Sequence, residues 1–413
     1  MSSAQSFNPL SRGSDYEQLA KRFRPIFERI AEGAEQRERE RSLPVEQIRW
    51  LKEAGFGAVR VPQEYGGDGA SLPQLVRLLI ELATADSNLT QALRGHFAFV
   101  EDRLNAAPSP ERDRWFKRFV DGDLIGNAWT EIGAVKIGDV VTKVSPEGDH
   151  WRLDGTKYYS TGSLFADWID VYAQRSDNGG DVIAVVSTHQ DGVKRSDDWD
   201  GFGQRTTASG TTVFENARVE AENVIDFATR FKYQTALYQL NLLAVLAGTG
   251  KAIERDIARH VRERTRVFSH GNAPRVSEDV QIQQVVGQIS ALVYAAEATA
   301  IRAAEPAQWA YEARFGKDDE NERQANIAAE IESAKAQVVV AELILRAASD
   351  LFNALGASAA RIDKVLDRHW RNARTVASHN PLIYKARIIG DWLINGTEPP
   401  YIWQIGDGSD KAA

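Results

Sequence analysis

The chain has 413 residues, of which 43% are hydrophobic and 26% charged, with a formal net charge of −8. That is apolar material for two or three packed bodies and excludes disorder as the default reading. The acidic balance, with the basic clusters at 37–41 and 262–266 interrupted by glutamates, argues against a nucleic-acid footprint.

Cysteine is absent and Met1 is the only methionine, so disulfides, thiolate metal ligands and a cysteine nucleophile are excluded. Composition this poor in sulfur fits a protein made when sulfur is scarce; the plainer reading is that Leu, Ile and Val replace Met in a core at modest cost. The stretch Met1–Pro9 has no leader-like pattern, and the most apolar run, 240–245, is far too short to cross a bilayer. The expected location is the cytoplasm. The histidines show no metal-ligand spacing, and no metal is expected.

From Tyr16 to about Asp121 the apolar pattern is helical, as in Leu19, Phe23, Ile26, Phe27 and Ile30. A second helix is expected from Pro44, carrying Val45, Ile48 and Leu51 and ending at Gly55 to Gly57. The turn Val61-Pro62-Gln63-Glu64-Tyr65-Gly66-Gly67 follows. Short runs rich in Val, Thr, Trp and Tyr then alternate with Gly and Asp turns: 140–144, 151–153, 169–173, 182–186 and 211–214. They read as a compact antiparallel β domain. Beyond Phe227 helical periodicity returns and lasts to about Asn395, as in Ile327, Ile331, Ala334, Val338, Ala341 and Leu345. The fold class is therefore α+β, mostly α: an N-terminal helical domain over 1–123, a β domain over 124–227 and a helical bundle over 228–413.

Several stretches, in this order, resemble the acyl-CoA dehydrogenase superfamily: the 61–67 turn, Asn127 to Glu131, Asp154-Gly155-Thr156-Lys157, and Phe214-Glu215-Asn216-Ala217-Arg218-Val219. The stretch from Trp199 to Gly210, then Trp370-Arg371-Asn372-Ala373-Arg374-Thr375, Ser378-His379-Asn380-Pro381 and Tyr384-Lys385, is similar to one branch. That branch holds the flavin-dependent monooxygenases acting on dibenzothiophene, alkanesulfinates and sulfones. The resemblance implies a β-barrel as the middle domain. In the dehydrogenases a glutamate near the last region removes a carbon-bound proton; here no acid lies between Asp367 and Asp391, and the matching segment offers His379.

The resemblance implies reduced FMN, supplied by a separate NAD(P)H-dependent reductase, with O2 as co-substrate activated as a flavin C4a-peroxide. It places His379, His96 and Thr161 around that peroxide as catalytic residues, histidine being suited to donate a proton near neutral pH. Asn127, Thr130, Tyr159, Thr161, Trp199 and His379 would surround the flavin ring and ribityl chain, and Arg266 would grip its phosphate. Thr161 stands where a serine is found in the branch. The residues leave alternatives open: His379 as a helix-end residue near Pro381, His96 as a core histidine among Leu93, Phe97 and Phe99, Arg266 as a solvated arginine. The glycine turn 355–360, with Ser358 and Ala360, lacks the arginine and threonine that help hold FMN from a neighbouring subunit. No Rossmann-type glycine loop is visible.

The expected activity is oxygenation of a small organosulfur compound, an alkanesulfinate or sulfone first, in sulfur assimilation. Alternatives on the same fold are an aromatic S-oxygenase, an amino-sugar N-hydroxylase and an atypical acyl-CoA dehydrogenase; a flavin-binding protein without catalysis is the rival from another class. The apolar faces of the long helices lead to an expected homo-oligomer, a tetramer by family resemblance.

Overall fold

The computed structural model describes residues 13–133 and 139–403, so Met1–Pro9 lies outside the described residues. Seven helices come first: α1 (Gly13–Glu32), α2 (Ala34–Glu40), α3 (Val45–Glu53), α4 (Leu72–Ala85), α5 (Ser87–Ala92), α6 (Arg94–Asn105) and α7 (Pro110–Val120). The periodic residues of α1 form one buried or half-buried face, and Phe23 and Phe27 meet Phe56 edge-on at 5.1 and 5.7 Å between ring centroids. In the 61–67 turn Gly66 has φ 94°, and a Cβ on Gly67 would lie 2.2 Å from the Val61 carbonyl. Both positions therefore require glycine. A reciprocal capping box between Ser71 and Gln74 opens α4.

Eight strands follow: β1 (Ile125–Ala128), β2 (Lys143–Glu147), β3 (His150–Lys157), β4 (Trp168–Arg175), β5 (Asp181–Ser187), β6 (Val193–Arg195), β7 (Thr212–Glu220) and β8 (Val224–Asp226). They form one sheet in the order β6-β7-β3-β2-β4-β5-β8, with β1 also paired to β4. The expectation of a purely antiparallel domain is corrected: the sheet is mixed. β1 runs parallel to β4, with Ile125 opposite Trp168, and β2 meets β4 in parallel at Lys143 and Val144. The cause is topological, because the chain leaving β3 passes beyond β2 before re-entering as β4. The crossover, residues 158–167, carries Thr161.

Of the run 140–144 only Lys143 and Val144 pair as a strand. The N–H groups of Val141 and Thr142 instead donate to the Glu131 carboxylate, each at 2.8 Å, which takes the place of ladder partners. On β5 alternate residues serve two cores: Val182, Ala184 and Val186 pack within the sheet, while Ile183 and Val185 pack with Phe99, Trp115, Phe116 and Phe119 of α6 and α7.

The bundle comprises α8 (Gln234–Glu263), α9 (Val280–Ala313), α10 (Asp319–Leu355), α11 (Asp367–Ala377) and α12 (Leu382–Asn395). The run 240–245 is buried in α8, which packs on α4, α9 and α10. One continuous apolar core joins residues from Tyr16 to Ala377, so the first helices and the bundle are not separate cores. Among the described residues, no helix is long and apolar enough to cross a membrane.

Candidate active site

The corner between α11 and α12 presents His379. α11 closes at Ser378, the His379 N–H donates to the Val376 carbonyl at 3.1 Å, and Pro381 precedes α12. A proline at that point ends one helix and sets the entry of the next. His379 is an exposed residue whose ring is nevertheless densely surrounded by protein atoms. That enclosure, reinforced by the Arg94 charge, holds its pKa well below the usual value, at about 3. The expected pKa near working pH gives way to a neutral imidazole, which still offers one N–H donor.

Thr161 sits in a loop whose backbone is forced. Tyr159 has φ 57°, and Gly162 has φ 75° with a would-be Cβ 2.2 Å from the Ala92 carbonyl, so the loop lies hard against the end of α5. Buried Thr161 joins a chain of hydroxyls: Ser209 Oγ lies 2.9 Å from Thr161 Oγ1, Thr207 Oγ1 lies 2.7 Å from Ser209 Oγ, and Thr207 donates to the Gln204 carbonyl at 2.9 Å. Thr161 itself points at the Tyr159 carbonyl at a long 3.3 Å. Three hydroxyl protons must serve these contacts, so the weakly placed Thr161 proton is the one most readily turned to a ligand.

His96 is placed differently from the expectation. Its Nε2 lies 2.8 Å from the Gly57 carbonyl, and its Nδ1 accepts the Ile125 N–H at 3.3 Å. The proton is thereby assigned to Nε2, both nitrogens are engaged by backbone, and no free donor remains. Its ring packs edge-on against Phe97 and Phe119 at 5.2 and 5.5 Å, and burial holds it neutral with a pKa of about 4. A Cβ at Gly57 would come within 2.8 Å of Nε2, so the glycine makes room for the ring. This geometry ties α6 to β1 and leaves His96 no proton to donate to a peroxide.

Of the remaining expected flavin residues, Asn127 on β1 is buried and its Oδ1 has no hydrogen-bond partner. Its N–H reaches the Thr161 carbonyl at 3.4 Å, and Gly95 passes so close that a Cβ there would lie 2.9 Å from Asn127 Cβ. Ser160 Oγ is likewise buried and unpartnered. Thr130 is half-buried, its carbonyl accepting the Tyr158 N–H at 2.9 Å. Trp199 donates its indole N–H to the Gly203 carbonyl at 3.1 Å and meets the exposed Tyr159 edge-on at 5.7 Å, so the pair offers ring surface, with the Tyr159 hydroxyl as its remaining donor. Orphaned amide and hydroxyl atoms beside an aromatic wall fit a flavin, whose ring is apolar in its faces and polar along one edge.

Arg266 is exposed and lies elsewhere. Arg264 donates to the Arg266 carbonyl at 3.1 Å and to the Leu355 carbonyl at 2.7 Å, bringing the segment against the 355–360 glycine turn, where Gly356 has φ 72°. Tyr238 at the start of α8 stacks against Arg94, whereas Arg266 follows the end of that helix; at 1.5 Å per residue they are separated by about 38 Å along the axis. That exceeds the length of a mononucleotide, so the helix sets Arg266 well apart from the end of α8 that packs beside Trp129.

Arg94, absent from the expectations, opens α6 on nearly the opposite face from His96, since two residues turn a helix by about 200°. It is the residue of that helix whose charge reaches His379. An arginine in an otherwise largely apolar stretch was the available signal. His369 accompanies Arg368 on Asp256, its Nε2 at 2.9 Å, beside a cavity of about 30 Å³. That cavity has room for water only. Among the described residues, no cluster suited to a metal ion is present.

Known proteins share the family and the fold. Family models for the acyl-CoA dehydrogenase N-terminal, middle and C-terminal domains match residues 14–123, 127–217 and 241–382. A dibenzothiophene monooxygenase of Mycolicibacterium goodii is 26% identical over 365 residues, covering 84% of this chain and 87% of the relative. A probable FMNH2-dependent monooxygenase, SfnC of Pseudomonas putida, is 24% identical over 385 residues, covering 91% and 94%. FMN-bound TdsC from Paenibacillus sp. A11-2 and the methanesulfinate monooxygenase MsuC from Pseudomonas fluorescens each superpose with a TM-score of 0.82 at 26% identity, over 92% of this chain and 98% of theirs. With all three of its domain models matched in order along one fold, the chain belongs to the acyl-CoA dehydrogenase family.

Proposed function

We propose that the protein is a reduced-FMN-dependent monooxygenase that oxygenates a small organosulfur compound, an alkanesulfinate or sulfone. The observation that carries this reading is the 378–381 corner: where a dehydrogenase needs a proton-abstracting carboxylate, a neutral histidine stands, densely surrounded by protein. Sulfur-poor composition and FMN-carrying relatives support it. The overall change is balanced: sulfinate, dioxygen and the two electrons and two protons of the reduced flavin give sulfonate, water and oxidised flavin. The electrons come from a separate NAD(P)H-dependent reductase.

When bound, the reduced flavin supplies both electrons for dioxygen cleavage. Asn127 Oδ1 and the hydroxyls of Ser160 and Thr161 are the groups that would hold it, and Tyr159 with Trp199 would supply aromatic surface. The ring N–H of His379 would be the donor available to the oxygen being reduced. Arg266 comes to the cofactor phosphate from a second copy of the chain, since its own is too far away. Exposed apolar residues on the bundle, among them Tyr294, Ile383 and Ile394, support such assembly as a tetramer.

The test is an assay with a flavin reductase, NADH, labelled dioxygen and either methanesulfinate or dimethyl sulfone. Label is expected in the product, and His379→Ala is expected to lower turnover per bound FMN by roughly a hundredfold with FMN affinity kept. Absence of oxygenated product from both compounds, or bleaching of the oxidised flavin by an acyl-CoA without NADH, refutes the reading.

A further inference from the structure

Six arginines are buried among the described residues: Arg37, Arg60, Arg94, Arg103, Arg230 and Arg368. Five are paired, Arg37 with Asp86, Arg60 with Glu101, Arg103 with Asp102, Arg230 with Asp170 and Arg368 with Asp256. Arg94 alone has no carboxylate in contact among the described residues. Its Nε is buried without any hydrogen-bond partner, and its one aromatic neighbour is the Tyr238 ring, 5.1 Å from the guanidinium. Tyr238 Oη, itself buried, is also unpartnered.

An isolated guanidinium does not lose its proton in a protein, so burial cannot neutralise it. Leaving its Nε unpaired away from water is costly, and the other buried arginines among the described residues are paired. A position so expensive, with five donors in a planar fork and a phenol donor beside it, matches an anion that arrives from outside. The place is fixed by the fold. Gly95, the next residue, presses on Asn127, and the Arg94 charge reaches His379. Arg94 and Tyr238 lie on α6 and α8, the helical wall, whereas the flavin residues lie on β1 and the loops of the sheet. Tyr238 is further held by Trp129, edge-on at 5.8 Å, so its hydroxyl is aimed by packing.

We propose that Arg94 and Tyr238 Oη form the oxyanion receptor of the substrate cleft, selecting a sulfinate headgroup over a neutral sulfone or thioether. This inference rests on the monooxygenase reading and narrows its substrate to an anion. Two oxygens of a sulfinate meet the two ends of the guanidinium fork, with the sulfur lone pair left toward the flavin side. Neutral substrates leave the arginine unpaired and bind without its help.

The test measures binding on the FMN-loaded, oxidised protein, where no turnover is needed. Methanesulfinate at matched ionic strength is expected to bind the wild type and to raise its melting temperature. In Arg94→Met the affinity for methanesulfinate should fall about a hundredfold, while dimethyl sulfone, which carries no charge, binds both proteins equally. Arg94→Lys, keeping the charge and losing the fork, should fall about tenfold. Without ligand, Arg94→Met should melt higher than the wild type, because an unpaired buried charge has gone.

Equal methanesulfinate affinity in wild type and Arg94→Met overturns the proposal. So does a fall in FMN affinity with sulfinate binding intact, which assigns Arg94 to the flavin, or a lower melting temperature in Arg94→Met, which assigns it to the fold. Arg94-dependent sulfinate binding without oxygenation would sink the monooxygenase reading and leave the receptor standing. Oxygenation of methanesulfinate with an unchanged KM in Arg94→Met would do the reverse.

Discussion

His96→Leu separates a structural imidazole from a chemical one. The substitution leaves the Gly57 carbonyl and the Ile125 N–H without partners in a region closed to water. Each such orphan costs about 1–3 kcal/mol, and the added apolar side chain offsets part of it, giving a net loss of about 2–4 kcal/mol. The pH dependence supplies a second signature. The folded-state pKa is about 4 against an ordinary 6.5, so between these values the unfolded chain binds the proton and the native chain does not. Stability from this group is therefore complete above pH 6.5 and lost as pH falls toward 4. At about 1.36 kcal/mol per pH unit the whole effect is about 3 kcal/mol.

Urea unfolding of wild type and His96→Leu, followed by circular dichroism from about pH 7.5 to about pH 4.5, reads both. The stability gap should be widest at the upper end and narrow by about 2–3 kcal/mol at the lower, since only the wild type carries the titrating ring. Turnover per bound flavin should be unchanged. Gly57→Ala, which drives a methyl into Nε2, should reproduce the destabilisation. A gap that does not vary with pH, or a stable mutant whose turnover drops a hundredfold, would refute the assignment.

Thr161→Val removes the hydroxyl that Ser209 approaches at 2.9 Å; FMN affinity should drop about tenfold, the worth of one or two hydrogen bonds, with little change in melting temperature. Fluorescence titration of FMN measures it, and unchanged affinity would remove Thr161 from the cofactor site. Arg266→Ala should weaken FMN binding by roughly tenfold to a hundredfold, as expected for a charge-assisted contact, with a reduced salt dependence. Mixed oligomers of Arg266→Ala and His379→Ala chains should exceed the summed activity of the separate variants, because a pair of copies then contains one intact site. No rescue on mixing would show that Arg266 does not act across subunits.

Legibility of the fold followed the length and burial of each element. The residues 327 to 345 repeat at helical spacing because α10 is long enough to show its period. The runs 169–173 and 182–186 stood out because β4 and β5 are buried on both faces. β6 and β8, three residues each, offer too few positions for alternation to register. The parallel pairing of β1 was invisible because it depends on a partner more than forty residues away, Trp168 for Ile125. At the candidate site, the family resemblance pointed to His379 and the 158–162 loop, but neighbouring letters on a helix do not reveal which faces inward. Between Arg94 and His96 the sequence drew attention to the imidazole; the helical turn sets the guanidinium on nearly the opposite face.

The single apolar core shared by the first helices and the bundle has a consequence for synthesis. α4 ends at Ala85 and its partner α8 begins at Gln234. At about 5–20 residues per second the ribosome takes roughly 7–30 s to make the intervening chain. For that time Leu75, Leu79 and Leu82, all buried in the finished protein, lack their α8 cover. A fragment ending near residue 123 matches a complete family domain yet lacks the surface that would cover it. Its solubility therefore depends on the far end of the same polypeptide.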